Sequence, residues 1–122
     1  MLLDLHPEPR LHPVTVRTSA GTTRAGVLGY SESFIETIAA ANRALATLED
    51  EEVFVREQQT EFEVLIHFDS AALWQTYLKT QAQYYVPPDE AMLGSIDRAL
   101  EEAPGEIVMT EWIRGTRFRR LG

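Results

Sequence analysis

A chain of 122 residues supports one hydrophobic core and not two, and 44% hydrophobic with 25% charged residues is the composition of a globular domain rather than a disordered segment. The formal charge is −8, and because residues 114–122 hold four arginines and no acid, the first 113 residues carry a net −12, which argues against a nucleic-acid binder that would need Lys and Arg on phosphates. There is no cysteine, no apolar run near the roughly 20 residues that span a bilayer, and no basic-then-apolar leader, so a cytoplasmic protein with no membrane partner, no disulfide and no thiolate chemistry is expected.

Residues 1–13 contain Pro7, Pro9 and Pro13, two of them in a repeated Leu-His-Pro setting, and proline restricts itself and its predecessor to extended backbone. This segment reads as an extended arm or edge segment. Residues 14–18 alternate and are β-branched, which predicts a strand, and a turn at 19–22 leads to a second strand over 24–30. Gly26 and Gly29 weaken that reading or mark a close approach to another backbone.

Phe34, Ile35, Ile38, Ala41, Leu45 and Leu48 recur at helical intervals behind a Ser33/Glu36 capping box, and the helix stops at the acidic run 49–52. Residues 53–58 and 62–68 predict two strands joined by a tight polar connection at 59–61. In the second of them Phe62, Val64, Ile66 and Phe68 alternate with Glu63, Leu65 and His67, the pattern of one dry and one mixed face. Asp69 or Ser70 caps a second helix carrying Leu73, Trp74, Tyr77, Leu78, Ala82, Tyr84 and Tyr85, broken by Val86-Pro87-Pro88. A third helix opens at Asp89 and Glu90, uses Met92, Leu93, Ile96, Ala99, Leu100 and Ala103, and ends at Pro104-Gly105. Residues 106–113 form the last strand, and 114–122 a basic tail that frays or pairs with the acidic body. The domain therefore divides into an arm (1–13), an α+β core (14–113) and the tail.

Without the N-terminal strand the order is β-α-β-β-α-(α)-β, a ferredoxin-like α+β arrangement with an antiparallel sheet and helices on one face. The stretch Phe62-Glu-Val-Leu-Ile-His-Phe-Asp-Ser-Ala-Ala-Leu-Trp-Gln-Thr-Tyr-Leu78 resembles the third strand and second helix of the dimeric α/β-barrel superfamily, and the element order extends the likeness over residues 23–113. That resemblance implies a homodimer formed sheet to sheet around a small-molecule cavity, as in the cofactor-free monooxygenases, haem-degrading enzymes and stress-responsive proteins of the superfamily. Gln81-Ala-Gln-Tyr-Tyr85 stands where some subfamilies have a His-Pro-x-His ending, so no catalytic histidine is carried over at that place.

The helix-free face of the expected sheet would hold Leu65 and His67, Phe54 and Arg56, Val108 and Trp112, with Leu28 and Tyr30. Its mixture of apolar and polar groups suits a dimer interface around a lined cavity. There His67 is the candidate catalytic acid/base or ligand contact, against the alternative of a half-buried histidine with a satisfied hydrogen bond. Arg56 would meet an anionic ligand or pair with a glutamate such as Glu63, and Trp112 would stack on the ligand. Either Glu111 or Trp112 shares the face of His67. Tyr77, with Trp74, Tyr84 and Tyr85, forms an aromatic cluster that serves as core, interface or pocket wall. The residues call for no cofactor; haem, used by some members of the superfamily, would have His67 as its contact. His6 and His12 with Glu8 have no metal-site spacing.

Two functional readings follow. One is a small-molecule-binding dimer, with cofactor-free monooxygenase-like activity as its enzymatic form. The other is a non-catalytic regulatory or oligomerisation module.

Overall fold

The computed structural model describes all 122 residues. The chain runs β1 (Leu2–Pro7), β2 (His12–Thr18), β3 (Gly21–Leu28), α1 (Glu32–Asp50), β4 (Phe54–Phe68), α2 (Ala71–Thr80), α3 (Glu90–Glu102) and β5 (Gly105–Arg120). All five strands join one antiparallel sheet. The α+β class and the antiparallel sheet are as expected, and no helix is long and apolar enough to cross a membrane.

β5 is the spine. One of its sides is taken by β4, from Phe68 opposite Ile107 to Phe54 opposite Arg120. Its other side is shared: Gly105–Met109 pairs with β2, and Ile113–Phe118 pairs with β1. Between those two strands Glu8-Pro9-Arg10-Leu11 steps aside, and the Glu8 amide holds the step by donating to the Trp112 carbonyl at 2.9 Å. The proline-rich start is thus an edge strand of the sheet. The basic tail is the end of β5, not a frayed terminus, because Arg117 and Arg119 both reach Glu57, and Arg114 reaches Glu8 and Glu61.

Other boundaries differ from the expected ones: β3 spans Gly21–Leu28 rather than 24–30, and α1 is capped by Ser31 rather than Ser33. The strands expected at 53–58 and 62–68 are one strand, so a single long β4 stands where the ferredoxin-like order has two. Gln59-Thr60-Glu61 contains no glycine, proline or asparagine to reverse the chain, and each of these residues finds a partner on β5. The irregularity is a bulge at Glu57. α2 also stops earlier than its apolar pattern suggests, at Thr80 with Gln81 as its C-cap, which leaves Tyr84 and Tyr85 outside the helix.

The three helices begin with side-chain caps that satisfy free amides: Ser31 accepts from Phe34, Ser70 from Leu73, and Asp89 from Met92. Alternation along the strands builds the main core from Val14, Val16, Leu28, Phe68, Ile107 and Met109 on one face of the sheet. α2 and α3 bury Trp74, Leu78, Met92 and Ile96 against that face. Gly26, at φ +156°, sits beneath α3, where a Cβ would lie 2.9 Å from Met92 Cε. The close approach at this glycine is therefore to a helix side chain and not to another backbone.

The covered area ends halfway along β5. In the outer half Leu3 and Leu5 are about 60% exposed and Phe62 is 41% exposed. Register sets Leu5 opposite Gly115 and Phe62 opposite Ile113, the same face as Met109 and Ile107. This leaves a strip of bare apolar surface in line with the core.

Candidate functional site

The site lies at the boundary between the covered and bare halves of the sheet. After α2 the chain turns back and lays residues 84–86 against 29–31. The Ser31 amide donates to the Tyr84 carbonyl at 2.7 Å, and the Val86 amide to the Gly29 carbonyl at 2.9 Å. The Ser31 hydroxyl, while capping α1, donates to the Gln83 carbonyl at 2.7 Å. Tyr30 and Tyr85 become directly opposed partners of a short antiparallel bridge, so their rings emerge on the same side, 5.4 Å apart. Phe34 from the first turn of α1 meets Tyr30 edge-on at 4.8 Å and Tyr84 at 4.8 Å, and Tyr77 of α2 closes the ring at 6.4 Å from Tyr85.

These rings, with Pro7, Gln81 and Glu111, line an open cleft of about 290 Å³. Glu111 comes from the middle of β5. Residues 107, 109, 111 and 113 share the helix-side face, and Glu111 is the one charged member of that apolar series. Its side chain is 14% exposed. It accepts a hydrogen bond from the Tyr85 hydroxyl.

His12 stands behind the tyrosines, fully buried. Its ring packs edge-on to Tyr30 at 4.3 Å and to Tyr85 at 5.6 Å, and Nδ1 is 4.0 Å from Glu111 Oε1. Neither ring nitrogen makes a hydrogen bond of good geometry. Burial lowers its pKa from 6.5 to about 4, only partly opposed by the Thr110 backbone, so His12 is neutral at pH 7 and is no ion-pair partner for Glu111. Burial first, and then the Glu111 carboxylate, raises the tyrosine hydroxyls of Tyr30 and Tyr85 above their ordinary value of 10.0. Tyr85 therefore stays protonated and donates to Glu111.

The residues singled out from the sequence separate into two groups. Tyr77 and Tyr30 belong to this cleft; Tyr30 is not on the helix-free face, and neither is Leu28, which lies in the core. His67, Arg56 and Trp112 do lie across the sheet from it, but each is engaged by a different partner. His67 pairs with Glu106 at 3.1 Å near the surface. Arg56 binds Glu49 of α1 at 2.8 Å and also Gln59, rather than Glu63, and Trp112 carries the Arg10 guanidinium 3.8 Å above its ring. Register settles which neighbour shares the face of His67. His67 is opposite Val108, so Trp112 is on its side and Glu111 on the other.

Glu111 and His12 carry a role at this cleft that the sequence pattern does not assign them. The available signal was the carboxylate interrupting the apolar alternation of the last strand. A second cleft of about 270 Å³ lies between α2, α3 and residues 86–88, sharing Tyr85 as a wall, but Gln75 and Lys79 at its rim are its main polar groups. Comparison with family profiles, with curated proteins and with solved structures gives no match, so the chemistry rests on this geometry.

Proposed function

We propose that the chain is a small-molecule-binding protein whose ligand occupies the tyrosine-lined cleft on the helix side of the sheet. The observation that carries this reading is the convergence of aromatic rings from α1, α2 and the 84–86 segment on a single, largely buried carboxylate. Apolar walls with a few aimed polar groups are what small-ligand sites generally provide. Glu111 accepts and Tyr85 donates, which is also the smallest equipment for acid–base chemistry without a cofactor. The enzymatic form of the reading, a cofactor-free monooxygenase-like activity as in the dimeric α/β-barrel superfamily, would place that chemistry here rather than at His67.

The test is a thermal-shift screen with small aromatic, amine and acid fragments. Ligands should raise the melting temperature of the wild type and fail to do so in a Tyr30→Ala, Tyr84→Ala double variant. If no fragment moves the melting temperature, or if the shifts survive in the double variant, the cleft is not the site.

A homodimer is favoured by a separate observation. The accessible surface of 7534 Å² exceeds the roughly 6,600 Å² expected of a compact monomer of this mass by about 900 Å². A standard interface covers about 800 Å² per partner. The strip Leu3, Leu5, Phe62 and Ile113 runs from Pro7 at the mouth of the cleft, so a second copy seated on it would roof the cleft. The ferredoxin-like, sheet-to-sheet arrangement is retained in this proposal, with the contact moved to the helix-side face of the outer sheet. Sedimentation at micromolar concentration should show a dimer, and Leu5→Asp should return it to monomer; a monomeric wild type removes this reading.

A further inference from the structure

We propose that the ligand of the cleft is an organic cation, an alkylated amine or quaternary ammonium, with Glu111 as its counter-ion and the surrounding rings as its walls. This rests on the cleft being the binding site and adds the chemical class of what binds.

The charge balance around Glu111 is the first argument. A carboxylate that is mostly removed from water needs a cation or several hydrogen bonds. Glu111 has one hydrogen bond, from Tyr85, and its nearest basic group is the neutral His12. Of the arginines of the same strand, Arg114 is committed to Glu8 and Glu61 and Arg117 and Arg119 to Glu57, while Arg120 stands at the far end, opposite Phe54. No lysine or arginine lines the cleft. An anionic ligand would meet this carboxylate unshielded, whereas a cation supplies what the site lacks.

The walls are the second argument. Tyr30 with Phe34 at 76°, Phe34 with Tyr84 at 63° and Tyr77 with Tyr85 at 54° adjoin as sides of a box, and only Tyr30 with Tyr85, at 32°, lies closer to a stack. An electron-rich box of this kind attracts a soft, weakly hydrated cation through the ring quadrupoles, most strongly where water is excluded. The field of the whole chain acts in the same direction, since its formal charge is −8.

Two probes of nearly equal shape and different charge separate this proposal from the reading beneath it: choline and its neutral carbon isostere 3,3-dimethylbutan-1-ol. Titration calorimetry of the full chain should show choline binding at least about tenfold more tightly than the alcohol, a difference of roughly 1.4 kcal/mol. Glu111→Gln keeps an acceptor for Tyr85 and should abolish that preference. Tyr84→Leu, at a half-buried position, should weaken choline more than the alcohol, and His67→Ala should change neither; circular dichroism checks that each variant is folded. Equal affinity for the two probes, or unchanged choline binding in Glu111→Gln, overturns the cation while leaving a neutral-ligand site intact. If choline, tetramethylammonium and benzylamine all fail to bind up to about 10 mM, a very weak affinity by any standard, the proposal is also overturned. If the fragment screen fails as well, the cleft reading falls with it.

Discussion

Glu111 and Trp112 are adjacent in the chain and meet opposite surroundings. Trp112, on the helix-free face, lies among paired charges. Arg10 covers its ring, Glu8 takes Arg114 at 2.9 Å, and Glu61 lies within reach of both arginines. Glu111, on the other face, is surrounded by aromatic rings and has no cation. Both faces contain charged and aromatic residues, so composition does not tell them apart. The difference is compensation: around Trp112 the guanidinium groups are paired with carboxylates, whereas the largely buried Glu111 carboxylate has no cation beside it.

The largest expected contrast between the two faces is in packing. Trp74 is fully buried under the core, so Trp74→Ala should lose about 3–5 kcal/mol in urea unfolding. Trp112→Ala should lose only about 1 kcal/mol, mainly its contact with Arg10. Equal losses would mean that the helix-free face is as tightly packed as the core.

A pH titration of stability tests the environment behind the cleft. Folded His12 titrates near 4 and an ordinary histidine near 6.5. Between these values the unfolded chain holds a proton that the folded chain does not. Stability is therefore complete above about pH 6.5 and falls on acidification toward pH 4, by about 3 kcal/mol from this residue. His12→Leu should flatten that part of the curve, and an unchanged slope would show that His12 is hydrated.

The ion pairs of the helix-free face give smaller effects. Glu8 is 4% exposed and receives the Arg114 guanidinium, so Glu8→Ala should cost about 1–3 kcal/mol, measured by denaturant unfolding. His67→Ala removes only a surface pair with Glu106 and should stay within about 0.5 kcal/mol, with no effect on ligand binding. A larger loss at His67 than at Glu8 would reverse the ranking of the two positions.

Local pattern was enough for the parts of this protein that depend on neighbours in the chain. The apolar spacing of the helices, the caps at Ser70 and Asp89, the extended proline-rich start and the alternation from Phe62 to Phe68 are consequences of dihedral preference and side-chain period. The α+β class follows from them. Pairing decided the rest. Whether residues 59–61 turn or continue depends on whether a partner strand awaits them, and β5 supplies one. The parity of His67 with Trp112, and of Glu111 with the core, depends on register, which no single strand encodes. The cleft required Tyr30 and Tyr85, 55 positions apart, to be bridged through Ser31 and Val86, and a carboxylate from a strand still further along to arrive between them. Sequence alone supplied the aromatic residues and the charge; only the tertiary fold set the one around the other, because long-range strand pairing and burial act between residues that have no local means of recognising each other.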